Sequence, residues 1–114
     1  MIQGFEDQTE ELTQYEIEVL VPIMVKGLST KIGQDNAITN SKIRSRLKDK
    51  EMNISDARIR KIINYIRVNK LIINLLATSK GYFISNDPAE ITRYKESLVA
   101  RANSILNLAK SYEI

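Results

Sequence analysis

Apolar positions recur at helical spacing in four separate stretches of the chain. Tyr15, Val19 and Ile23, with Leu20 and Met24 beside them, form the first. Thr13-Gln14-Tyr15-Glu16 stands in front of it as a capping box: the threonine oxygen can accept an early helix N–H, and the glutamate can reach back to the cap's own N–H. The pattern predicts a helix over residues 14–28, kinked at Pro22, because proline lacks one internal hydrogen bond and crowds the preceding turn. Residues 29–38 lose the periodicity around Gly33 and Asp35-Asn36 and read as a loop, with a short strand at Ala37-Ile38. Thr39 or Asn40 caps a second helix over residues 40–50 whose inward positions are Ile43 and Leu47. After a turn at Glu51–Ile54, Ser55 caps a third helix over residues 56–68, with Asp56 suited to its positive end. Its apolar stripe is Ile59, Ile62, Ile63 and Ile66.

The period then changes. Leu71–Ala77 is a run of strand formers, Thr78-Ser79-Lys80-Gly81 is a turn, and Tyr82–Ser85 is a second short strand, so a hairpin is predicted. Tyr82 and Phe83 alternate faces and read as sheet core rather than as base-stacking residues. Asp87-Pro88-Ala89-Glu90 opens a fourth helix over residues 88–112: a capping aspartate, proline at the first position, an acid in the first turn. Ile91, Tyr94, Leu98, Ala102, Ile105 and Ala109 form its stripe, widened by Val99, Leu106 and Leu108. Such a helix spans roughly 37 Å, longer than the body it belongs to. The stripe from Ile105 onward must therefore pack on the first helix or on another chain, and a symmetric homodimer is the plainest form of the second arrangement.

The 114 residues suffice for one domain, here residues 12–114 behind an acidic tail, residues 1–11, expected to be flexible. With neither Cys nor His, the chain lacks disulfides, thiolate nucleophiles, imidazole bases and the usual metal ligands. No metal, cofactor or small-molecule substrate is expected. The longest apolar run, Val19–Val25, is far short of the ~20 residues that cross a membrane. The start of the chain has neither the basic residues nor the apolar core of a signal peptide, so a soluble cytoplasmic protein is expected. The net charge of +3 conceals an asymmetry. Residues 1–25 carry six acids and no base, residues 26–70 twelve bases and four acids, and residues 71–114 five bases and four acids. The middle third is a basic block.

The order of elements is helix, short strand, helix, helix, hairpin, long helix. Together with the stretches Asn36–Thr39, Ala57–Arg67 and Ala77–Ser85, it resembles the small winged helix-turn-helix DNA-binding proteins common in phages and prophages. The resemblance covers roughly residues 12–105. Where such families often place glycine between the third helix and the hairpin, this chain has Asn69-Lys70, and asparagine tolerates the left-handed conformation that turn requires. The fold it implies is mainly α with a small β-hairpin wing and a long C-terminal helix. The function it implies is binding of double-stranded DNA, in transcription regulation or as a replication accessory. The third helix would then enter the major groove, with Ser55, Ala57, Arg58, Arg60, Lys61 and Asn64 facing the bases. Arg60 and Asn64 are the expected readers, since arginine bonds guanine and asparagine bonds adenine bidentately. Lys42, Arg44, Arg46 and Lys48 of the second helix, with Thr39 and Ser41 at its start, are expected at phosphates. They surround the helix, so not all can touch DNA together. Lys80 at the wing tip would meet a phosphate or the minor-groove edge.

Two other classes remain. Winged helices also serve as protein–protein adaptors, and fold alone does not decide between these roles. Catalysis is not expected. The sequence carries no glycine-rich phosphate loop, no nucleophile elbow and no carboxylate pair on a core element.

Overall fold

The computed structural model describes residues 10–114. Residues 1–9, most of the tail expected to be flexible, lie outside the described residues. Four α-helices and one antiparallel hairpin make up the architecture: α1 (Val21–Leu28), α2 (Asn40–Asp49), α3 (Asp56–Val68), β1 (Leu75–Thr78), β2 (Gly81–Ile84) and α4 (Pro88–Lys110). The expected mainly helical chain with a small hairpin is what is observed. Among the described residues no helix is long and apolar enough to cross a membrane.

The first helical segment, which opens ahead of α1 at Gln14, and α2, α3 and α4 each begin where a side chain satisfies an orphan N–H. Glu16 N–H donates to Thr13 Oγ1 at 3.1 Å and Thr13 N–H to Glu16 Oε1 at 2.8 Å, a reciprocal box. Thr39 accepts from Lys42 N–H, Ser55 from Arg58 N–H, and Asp87 from Ala89 N–H. Between the first box and α1 the chain forms a π-helical turn, Glu16–Leu20, closed by Val21 N–H on Glu16 C=O. Pro22 follows at once. Proline cannot donate, and its ring crowds the carbonyl four residues back, so the widened turn takes the place of the expected simple kink. The extra residue also rotates the buried face. Leu20, Val21, Met24 and Leu28 go inward, while Tyr15 and Val19, expected inside, are exposed.

The core joins these residues to Ile43 and Leu47 of α2, the four isoleucines of α3, and Ile38, Ile72, Leu75 and Tyr82. Ile59, Ile62, Ile63 and Ile66 are at most 1% exposed. Burying a side chain of that size contributes about 1.5–3 kcal/mol, so this stripe is the main anchor of α3.

The hairpin pairs Leu75 with Ile84 through to Thr78 with Gly81. The first strand is shorter than expected. Leu71–Ile73 are not in strand, and Asn74 adopts a left-handed conformation (φ 61°), its carbonyl accepting Ser85 N–H. On its other edge β2 meets Ile38, which exchanges two backbone hydrogen bonds with Tyr82, and Gly33, which donates to Ile84 C=O. The short strand expected at Ala37-Ile38 is thus a single bridge. Gly81 (φ +120°) lies against it so closely that a Cβ would stand 2.5 Å from the Ile38 carbonyl oxygen.

Two helices end in the paired hydrogen bonds of a Schellman motif. Met52 N–H reaches Leu47 C=O and Glu51 N–H reaches Lys48 C=O after α2; Leu71 N–H reaches Ile66 C=O and Lys70 N–H reaches Arg67 C=O after α3. The left-handed positions are Glu51 (φ 61°) and Lys70 (φ 54°). Asn69, expected to hold that conformation, is the preceding cap and donates its side-chain amide to Tyr65 C=O.

The last helix departs most from a packed body. Ile91 and Tyr94 are half-buried, but every residue from 95 to 110 is exposed. Of the two arrangements expected for its apolar stripe, packing on the first helix does not occur.

Candidate nucleic-acid interface

The connection from α2 to α3 runs back along α2. Asn40, at the start of α2, donates its amide to the carbonyl and carboxylate of Asp56 at the start of α3, and it accepts a 2.9 Å bond from Tyr82 Oη on β2. Asn40 therefore ties together the first turns of both helices and β2. The two N-terminal ends converge, where partial positive charge favours anions. Burial pushes the Tyr82 phenol above its ordinary 10.0, with nearby Arg60 and Arg67 pulling the other way.

Arg60 and Asn64, one turn apart on α3, are both exposed and point away from the isoleucine stripe. Lys61 is half-buried beside them. Ser55 is half-buried and its hydroxyl is engaged as the helix cap. On α2, Arg44 and Lys48 flank a groove of about 500 Å³ that also takes in Ser41, Met52, Asn53, Ile54 and Ser55. Arg44 lies 3.6 Å from Asp56, an exposed pair that holds the guanidinium only loosely. Lys42, Arg46 and Thr39 are exposed as well, but Arg46 rims a different, apolar cleft formed by α1, Ile38 and α2. Lys80 stands exposed in the two-residue turn between β1 and β2.

Two residues expected to face bases are placed elsewhere. Ala57 is only 7% exposed, so it is buried rather than presented outward. Arg58 turns toward the acidic N-terminal segment. Its guanidinium donates to both carboxylate oxygens of Glu16 and to the backbone carbonyls of Glu10 and Glu11. Glu16 is itself 5% exposed, and the Arg58 hydrogen bonds hold its carboxyl below the ordinary 4.5 despite burial. The pair lies on the side of α3 away from Arg60, since Arg58 is two residues, roughly 200°, around the helix. The acidic tail's described end thus docks on α3 without covering Arg60 or Asn64.

Sequence reasoning overlooked two residues. Asn40 was a possible cap, yet its amide joins three elements. Tyr94 accepts Arg67 Nη2 at 2.7 Å and Ala77 N–H at 3.2 Å on one hydroxyl, with the Arg67 guanidinium 5.8 Å from its ring centre. A tyrosine on an amphipathic stripe signals packing, and nothing in its spacing shows that the hydroxyl joins α3, β1 and α4. Compared with known proteins, the chain matches no protein-family model, no curated protein and no solved structure.

Proposed function

We propose that this chain is a winged-helix module, of the phage and prophage type, that binds double-stranded DNA in the cytoplasm without catalysis, as a transcription regulator or replication accessory. The observation that carries the reading is the outward pair Arg60 and Asn64 on a helix locked from behind by four buried isoleucines. The order of elements supports it: a helix, a bridging residue at Ile38, two helices joined through Asn40, then a hairpin whose turn presents Lys80. In this reading α3 enters the major groove. Arg60 and Asn64 meet base edges. Arg44, Lys48 and Ser41 on one flank of α2 meet the phosphates of one strand, and Lys80 meets the backbone beside the wing. Lys61 stands next to the base readers as a further phosphate contact, and Lys42, Arg46 and Thr39 add to the general positive field.

Selection of bound sequences from a random duplex pool at two salt concentrations tests this directly. A DNA module enriches a motif, or binds the pool broadly, with retention that falls steeply with salt. A protein–protein adaptor retains no DNA even at low salt, and that result would end the reading.

A further inference from the structure

The α4 helix leaves the body after Tyr94 and runs about 24 Å further with every residue exposed. An isolated helix of that length is marginal in water unless its apolar face is buried. That face is well defined: Leu98, Val99, Ile105, Leu106 and Leu108 are between 38% and 67% exposed, and Tyr112 just past the helix end is 75% exposed. Covering them, with the alanine methyls between, removes on the order of 600–800 Å² per chain, about what a standard specific interface takes from each partner.

The order of side chains along the seam identifies the occupant. Leu98 and Ile105 alternate with the small residues Ala102 and Ala109, while Lys95 leads the same row. Parallel, in-register pairing would set large against large, leave gaps at the alanines and oppose two Lys95 ammonium groups. Antiparallel pairing, with the two-fold axis between Asn103 and Ser104, sets Leu98 on Ala109 and Ile105 on Ala102, with Val99 near Leu106. Each layer of the Leu98, Ala102, Ile105, Ala109 row then joins a large side chain to a small one, and the two Lys95 charges separate to opposite ends. We infer that the chain forms an antiparallel homodimer through residues 95–110 of α4, Leu98 of each copy seated on Ala109 of its partner. The inference does not depend on DNA binding.

The absence of cysteine from the sequence makes the test simple. Sedimentation equilibrium of the full chain at micromolar concentration, without DNA, should give twice 13.0 kDa. Leu98→Cys and Ala109→Cys chains, oxidised separately and mixed, should form a disulfide-linked dimer only in the mixture. Ile105→Glu should raise the dimer dissociation constant by at least ~30-fold, the scale of a lost central anchor, with the helical circular dichroism of the body retained. A monomer at high micromolar concentration overturns the inference. So does cross-linking of either variant alone, which is the parallel arrangement, or a dimer in which the mixture never cross-links. Because none of these measurements contains nucleic acid, their failure is distinct from failure of the DNA reading.

Discussion

Arg58 and Glu16, 42 residues apart in sequence, form the most enclosed ion pair among the described residues, with side chains 12% and 6% exposed. The pair closes the capping box before the π-helical turn onto α3. It therefore holds the N-terminal segment to the element that carries Arg60 and Asn64. Removing one partner strands a buried charge. Arg58→Ala should cost about 3 kcal/mol in urea denaturation, while leaving the ratio of affinities for preferred and random DNA unchanged. A lost preference with unchanged stability would return Arg58 to the base-reading set.

The same pair makes a pH prediction. The carboxyl of Glu16 is held below its ordinary 4.5, chiefly by the Arg58 hydrogen bonds. A group depressed in the folded state adds stability that is complete above the unfolded value and is lost as pH falls through the folded one. The stability advantage of the natural chain over Glu16→Gln should be constant from neutral pH down to about 5 and shrink below 4.5. An advantage that persists unchanged in acid would show that the charge contributes nothing.

The hydroxyl of Tyr94 serves two donors, and Tyr94→Phe removes it while keeping the ring. The half-buried Arg67 guanidinium and the Ala77 N–H then lose their acceptor, so stability should drop by about 1 kcal/mol in thermal or urea unfolding. No change would mean that water replaces the hydroxyl at no cost.

Backbone conformation separates two substitutions of opposite sign. Gly81→Ala drives a methyl into the Ile38 carbonyl and should destabilise the hairpin strongly. Lys70→Gly relieves a left-handed residue and should stabilise by about 1 kcal/mol. Parallel shifts of both variants in thermal unfolding would contradict the assignment of these turns.

The parts of the fold that were legible in the sequence are those set by neighbours a few residues away. Thr13, Thr39, Ser55 and Asp87 cap as expected, because a cap needs only the next turn. The isoleucine stripe of α3 was legible for the same reason. What was not legible depends on distant partners or on small backbone choices. Ala57 lies on the outward arc of a helical wheel, yet tertiary packing at the first turn of α3 buries it. Arg58 is a natural base-facing residue by its place on α3, but Glu16 and the carbonyls of Glu10 and Glu11, more than 40 residues away in sequence, take its guanidinium. The π-helical turn before Pro22 shifts the buried face of the first helix, a rotation that a fixed 3.6-residue period cannot show. Asn69 was the natural choice for a left-handed residue by type, but the Schellman geometry falls one position later, on Lys70.

The most direct test of the central claim is a salt titration of duplex DNA binding for the natural chain, Lys80→Ala, and Arg60→Ala/Asn64→Ala. The natural chain should show a log–log slope of several units, Lys80→Ala a slope smaller by about one, and the double variant a collapse of sequence preference, each base contact carrying roughly 1–3 kcal/mol. Salt-independent binding, or a double variant that discriminates sequences as well as the natural chain does, would contradict the assignment of α3 as the reading helix.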